Sequence, residues 1–270
     1  MPAAIRLVVS DLDGTLLPRS GHPGRRTREI LAEVRRRGVR FAIATGRLYH
    51  HALPVADELG ADPIICCDGA LTKGTRGAET ARCLLLPPET ARDAFAQLFF
   101  YADELFLLGR DAVYAAPGAD ELLMAPWGSR VERFDPGLEL PNDLQAILAF
   151  GQRDLLAQAA KLVRDEMPEV EATLIEDPYP GRQPLIVRPR GADKGSALAD
   201  LRRRLRLKPS EIVVFGDWPN DLPMFREAGC SVAPRNAHPA VRHAATRVSD
   251  FTSEEEFVAR ELERMVLCGA

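Results

Sequence analysis

The chain has 270 residues, 46% hydrophobic and 27% charged, the ordinary composition of a folded globular protein with a sizeable core. A net charge of -4 and an aromatic content of 6% argue against the basic face and stacking platforms of a nucleic-acid binder. The five cysteines (Cys66, Cys67, Cys83, Cys230, Cys268) are odd in number, irregular in spacing and without a CxxC pair. Neither a disulfide framework nor a zinc site is expected of them, and free thiols suit a reducing cytoplasm. The opening MPAAIRLVVSDLDG holds one short apolar run followed at once by acids, too short for a signal peptide or a membrane span. The expected partner is therefore a small molecule in the cytoplasm, with no role for membrane or nucleic acid.

In chain order, residues 5–10 form a short apolar, β-branched run that reads as a buried strand ending in DLDGTLL. Helical spacing over 27–37 (Ile30, Leu31, Val34) stops at Gly38. A second buried strand over 39–44 ends at Thr45-Gly46-Arg47. Residues 47–59 read as a helix in which Pro54 implies a kink or a late start, and 63–67 as a third strand. This alternation predicts a doubly wound parallel α/β sheet.

Between Leu71 and Pro189 the pattern changes. Short strands are expected near 84–86, 105–108, 112–114, 146–150, 172–175 and 185–187, and helices near 89–101 and 154–165. Prolines recur at 117, 126, 136, 141, 178 and 180, as in loops and edge strands. The alternation then resumes, with helices expected at 193–205, 220–228, 239–245 and 253–266, and strands at 211–215, 230–233 and 247–248. The expected organisation is thus a Rossmann-like core of residues 1–78 and 190–270, interrupted by an inserted α+β domain of residues 79–189. The RRR runs at 35–37 and 202–204 read as solvated helix faces.

Ligands of an open parallel sheet bind beyond the carboxyl ends of its strands. Asp11 and Asp13 follow the first strand, Thr45 the second and Asp217 the late one, while Lys194 opens a helix after Gly191. Asp11 and Asp217 offer the hard oxygen ligands that magnesium takes. Thr45 and Lys194 offer the donor and positive charge that a phosphate needs. An aspartate can also attack phosphorus itself, and Asp13, two residues on, is placed to serve as general acid and base. Alternatives stand beside each reading. Asp before Gly is common in turns, Thr45 suits a helix N-cap, and lysine on a helix is ordinarily solvated. The five histidines show no ligand spacing.

DLDGTLL, ATGR, the lysine of ADKGSAL and GDWPNDLPMF resemble the four motifs of the haloacid dehalogenase (HAD) superfamily. Their order, the insertion between the second and third, and the flanking ICCDGALT and NAHPAV resemble its Cof-type branch, subfamily IIB, whose insertion is a C2-type cap. The resemblance implies a magnesium-dependent phosphatase of small phosphorylated metabolites that works through an aspartyl-phosphate. It implies Asp11 as nucleophile and metal ligand. Asp13 would be general acid and base, its carbonyl a second metal ligand, and Asp217 the third. Thr45, Gly46, Lys194 and Asn220 would surround the phosphate, and Asp221 would support the metal and Lys194. The cap would cover the site and choose the leaving group, with Arg182 and Gln183 as candidate contacts.

Three positions depart from the branch's pattern. Asp68 stands where asparagine is common and would alter substrate preference if it faces the site. Trp218-Pro219 fills a gap that is usually small or polar, and Arg235 stands where glycine is common. A phosphomutase-like transfer to a second sugar and a non-catalytic sensor of a phosphometabolite are the competing functions. The first shares the early chemistry, whereas the second has no need of Asp13. No GxGxxG follows the first strand and no P-loop occurs, which argues against a dinucleotide enzyme.

Overall fold

The structure, a computed structural model, describes residues 4–75, 80–121, 123–124, 131–135, 139–175 and 183–267. It divides into two compact units, Met1–Arg82 with Asp193–Ala270, and Cys83–Ala192.

The first unit is built on β1 (Leu7–Ser10), β2 (Arg40–Ala44), β3 (Ile64–Cys66), β4 (Leu71–Lys73), β5 (Thr80–Cys83), and later β12 (Ile212–Phe215), β13 (Cys230–Ala233) and β14 (Arg247–Val248). They lie side by side in the order β14-β13-β12-β1-β2-β3-β4-β5, all described pairings from β14 to β3 being parallel and β4 running antiparallel to β3. The chain thus starts in the middle of the sheet, works outward one way, and returns to the other side of β1. The crevice opened by that reversal lies at the carboxyl ends of β1 and β12, which is where the acids fall.

Alternation along the strands builds two cores. Val8, Phe41, Ile43, Val213 and Phe215 pack on one face with Leu31 and Val34 of α1 (Arg25–Arg36) and Ala52, Val55 and Leu59 of α2 (Tyr49–Leu59). Leu7, Val9, Ala42, Ile212 and Val214 pack on the other with Ala197, Leu198 and Leu201 of α5 (Lys194–Leu205). The central strands β1, β2 and β12 are buried on both faces, so their sequences read as continuous apolar runs. Pro54 lies inside α2.

The second unit holds β6 (Glu104–Leu108), β7 (Val113–Ala115), β8 (Val131–Arg133), β9 (Ala146–Gly151), β10 (Val170–Leu174) and β11 (Gln183–Pro189), in the order β10-β11-β9-β6-β7-β8. Its pairings are antiparallel except β7 with β8. One face carries Leu105, Leu107, Ile147, Ala149, Leu185 and Val187, which pack with Ala94 and Leu98 of α3 (Pro88–Phe99) and Leu156 and Val163 of α4 (Arg153–Glu166). This is the layered α+β arrangement. Among the described residues no helix is long and apolar enough to cross a membrane.

The structure corrects several expected elements. No strand forms at 84–86, where Pro87 and Pro88 follow at once and open the helix α3. The strand there is β5, on the first sheet, so the first unit runs to Arg82 rather than 78. The expected helix over 220–228 shrinks to one 3-10 turn, Pro219–Asp221, and α6 (Leu222–Phe225). The helix expected over 253–266 breaks at Glu256, which adopts φ 54°. Its carboxylate accepts from the N–H (2.6 Å) and hydroxyl (2.8 Å) of Thr27, in the first turn of α1. The short strands β4 and β8 were not foreseen.

Candidate active site

The DLDG turn starts from the middle of the sheet, where the Asp11 N–H donates to the Phe215 carbonyl at 3.0 Å. Gly14 then takes φ +79°, and a Cβ there would lie 2.4 Å from Asp217 Oδ2. Only glycine fits both the conformation and that approach. The turn also places the buried Thr15 hydroxyl as a donor to Asp217 Oδ1. One turn after β1 therefore grips the acid at the end of β12.

Lys194 enters from a third element. It is the first residue of α5, whose N-cap Asp193 accepts from the N–H groups of Gly195 and Ser196, both at 2.9 Å. The lysine is 1% exposed, and its Nζ donates to Asp11 Oδ1 and Asp221 Oδ1, each at 2.7 Å. A buried ammonium without partners would cost several kcal/mol, on the order of the full desolvation penalty. Burial here works against its charge, but Asp11 and Asp221, with Asp68 behind them, outweigh it and hold its pKa above the ordinary lysine value. The other oxygen of Asp221 accepts from the N–H groups of Asp217 (2.9 Å) and Trp218 (3.1 Å). Asp221 thus has both oxygens engaged and holds the ring together.

The carboxyls are electrostatically loaded. Burial raises the Asp11 pKa well above the ordinary value; Lys194 pulls it down, and Asp221, Asp217 and Asp13 push it up. Burial and then Asp221 push Asp217 up to about 7, against the Thr15 hydrogen bond.

Thr45 and Gly46 follow β2. Thr45 is buried but does not cap α2, which is preceded by Leu48; its hydroxyl accepts from the Arg47 N–H at 3.1 Å. Its carbonyl accepts from the Asp68 N–H at 3.1 Å, so the loops after β2 and β3 are tied together. Asp68 has φ 49° and ψ 33°, and its Oδ1 accepts from Asn220 Nδ2 at 2.8 Å. A Cβ on Gly46 would lie 3.5 Å from the same carboxylate.

Asp11, Asp217, Lys194, Asp221, Thr45, Gly46, Asn220 and Asp68 are linked by these contacts. Asp13 stands apart from the acid cluster. Its exposed carboxylate is clasped by Arg47, Nε at 2.8 Å and a terminal nitrogen at 2.6 Å. Arg47 and Thr15 are the residues that motif reading passed over. ATGR and DGT contain them, but their partners are distant in sequence and only the fold supplies them. Arg182 lies outside the described residues, and Gln183 is described only as the first backbone position of β11. Arg235 is an exposed arginine paired with Glu255 at 3.2 Å. The Trp218 ring meets His238 edge-on at 5.3 Å, and His238 caps α7 (Pro239–Ala244) by accepting from the Ala240 N–H. The second RRR run is engaged by Glu227, Asp200 and the Ala81 carbonyl.

The sequence profile of the haloacid dehalogenase-like hydrolases matches residues 8–262. The chain belongs to this family. An HMP-PP phosphatase of Escherichia coli O157:H7 (strain EC4115 / EHEC) is 30% identical to this hydrolase over 245 residues, spanning 88% of this chain and 86% of its own. The 5-amino-6-(5-phospho-D-ribitylamino)uracil phosphatase YbjI of Escherichia coli (strain K12) is 23% identical over 251 residues, spanning 90% and 89%. A haloacid dehalogenase-like hydrolase from Bacteroides thetaiotaomicron shares the fold with a TM-score of 0.85 at 24% identity, covering 97% of this chain and 99% of its own. The resemblance to the haloacid dehalogenase superfamily holds, and both Escherichia coli relatives of the hydrolase are named phosphatases.

The residues at the centre fit a hard divalent cation. Carboxylate oxygens of Asp11, Asp217 and Asp221 lie within 4.8 Å of one another. No histidine or cysteine joins this cluster among the described residues. Oxygen-only donors favour magnesium or manganese over zinc. Asp221 already accepts from Lys194 and two N–H groups, whereas Asp11 and Asp217 each accept from one side chain, which makes these two the freer carboxylates to hold the ion.

Proposed function

We propose that this hydrolase releases phosphate from small phosphorylated metabolites, a sugar phosphate or a phosphorylated cofactor, through an aspartyl-phosphate formed on Asp11, with Mg2+ as its cofactor. The observation that carries this reading is the buried Lys194, which fixes Asp11 through one oxygen beside a second raised carboxyl, Asp217. The names of the relatives, both phosphatases of small phosphorylated compounds, support the substrate class. The free thiols of Cys66, Cys67, Cys83 and Cys230 support a reducing cytoplasm.

Bound magnesium would supply positive charge between two anions, the Asp11 carboxylate and the phosphoryl oxygens. Asp11 and Asp217 would hold it, with the Asp13 carbonyl as the further protein ligand. Lys194, Thr45, Gly46 and Asn220 receive the phosphoryl group. An Asp11 oxygen forms a bond to phosphorus as the bond to the leaving oxygen breaks, and Asp13 gives that oxygen a proton. To do so Asp13 must exchange its Arg47 contacts for the leaving group. Water then attacks the phosphorus, Asp13 takes the water's proton, the bond to Asp11 breaks and phosphate departs.

The test is phosphate release from a panel of phosphorylated metabolites, before and after chelation. Turnover should disappear on exhaustive removal of divalent cations and return with magnesium. Full activity after chelation would overturn the metal assignment, and sugar-to-sugar transfer without phosphate release would favour the mutase reading.

A further inference from the structure

The phosphate-facing residues of this hydrolase include an anion that phosphate binding does not call for. Asp68 is 9% exposed and lies among four residues proposed to receive the phosphoryl group. Its N–H is tied to Thr45, its Oδ1 accepts from Asn220 Nδ2 at 2.8 Å, and its carboxylate lies against Gly46. Its charge also acts on Lys194, as the third of the three acids that raise the lysine's pKa. The cation meant for the phosphate is thus shared among Asp11, Asp221 and Asp68. The position is built for the job: Cys67 and Asp68 both take positive φ, at 48° and 49°, a cost accepted to turn this side chain inward.

We propose that Asp68 is a built-in electrostatic brake on phosphate affinity, which keeps product phosphate weakly held and speeds its departure. The proposal rests on the phosphatase reading of the site. Two unit charges ~6 Å apart at an effective dielectric of about 20 repel enough to change an affinity by about two orders of magnitude. Screening by the cation and by water reduces this, so roughly a tenfold effect is expected. A carboxylate here also holds Asn220 by one N–H, but an amide oxygen would do that equally well. Charge is what distinguishes Asp68 from asparagine.

The experiment measures competitive inhibition by inorganic phosphate and by orthovanadate, with saturating magnesium, in wild type and Asp68→Asn. Asparagine tolerates positive φ and keeps an acceptor for Asn220 while removing the charge, and Asp68→Gly, which adds no amide donor, separates that loss from a new N–H contact to the anion. The expected result is a Ki for both anions lowered about tenfold or more, with KM lowered to a similar degree for every substrate. Asp68→Gly, suited to the same backbone conformation, should also lower Ki. An unchanged or raised Ki in folded variants would overturn the proposal. So would a KM change confined to one substrate with Ki unaltered, which would assign Asp68 to a leaving group. A wild-type enzyme that releases phosphate from no phosphorylated metabolite with magnesium present would overturn the phosphatase reading itself.

Discussion

At the scale of single residues, the site is a contest between burial and charge. Asp11 is the proposed nucleophile, and Asp11→Asn should lower phosphate release by about 10³-fold or more, since an amide cannot attack phosphorus. The fold should survive, because the amide oxygen still accepts from Lys194 and Asp221 still pairs with it. Steady-state assay with circular dichroism checks both halves; near-native turnover in a folded variant would remove Asp11 from the role. Asp217 offers a second test. Burial and Asp221 raise its folded pKa to about 7 from 3.8. The native metal-free state therefore binds this proton more tightly than the unfolded state. That stability is fully present below the unfolded pKa and is lost as pH rises through the folded one. In chelator, wild type should lose melting temperature relative to Asp217→Asn between about pH 4 and pH 7. Magnesium should then restore it in wild type, a ligand that binds only the native state. Parallel melting curves across pH would show no such divergence if Asp217 were unstrained. The acids and the lysine of the site were legible in the sequence because each sits at a strand end or helix start with a fixed motif around it. Their partners were not. The Thr15 contact to Asp217 spans 202 residues and the Arg47 contact to Asp13 spans 34, so no local pattern encodes them.

At the scale of elements, α5 matters because it delivers Lys194. Asp193 precedes it in extended conformation and satisfies two N–H groups that a helix start leaves orphaned. Asp193→Ala should cost about 1 kcal/mol, read as a melting temperature lower by roughly 2–4 °C. If that first turn frays, KM should rise with it, while Asp193→Asn or Asp193→Ser should recover most of both. An alanine variant with unchanged melting temperature and KM would show that the cap does not hold the lysine. Elements with strong periodicity, β1, β2, α1 and the α5 helix, were readable because burial on one face or two writes itself into residue type. The failures fall where one residue answers to a distant one. Glu256 leaves the helical region and reaches Thr27, and the C-terminal helix breaks there. The short strands β4 and β8 were missed because three residues carry too little alternation to be seen.

At the scale of the molecule, every residue proposed to meet phosphate or metal belongs to the first unit, and these groups see only what all phosphomonoesters share. We propose that the second unit discriminates among leaving groups, as cap domains are expected to. The two-unit organisation was visible in sequence as an interrupted alternation, but the seams needed the structure. Arg82 ends the first segment, its Nε donating to the Gly69 carbonyl at 2.9 Å and a terminal nitrogen to Ser196 Oγ at 3.1 Å, with an ion pair to Asp200. The chain returns at Asp193, fixed as the cap of α5. Cuts after Arg82 and before Asp193 therefore leave both anchors with the first unit, and the second keeps its own core around Leu98, Ile147, Leu156 and Val187. Replacing residues 83–192 with the corresponding unit of a relative of different preference should transfer the donor's substrate ranking. Magnesium dependence and sensitivity to Asp11→Asn should stay with the first unit. A folded chimera that kept the parent's ranking would locate specificity among the residues around Asp11, and Asp68 would then be the first of them to vary.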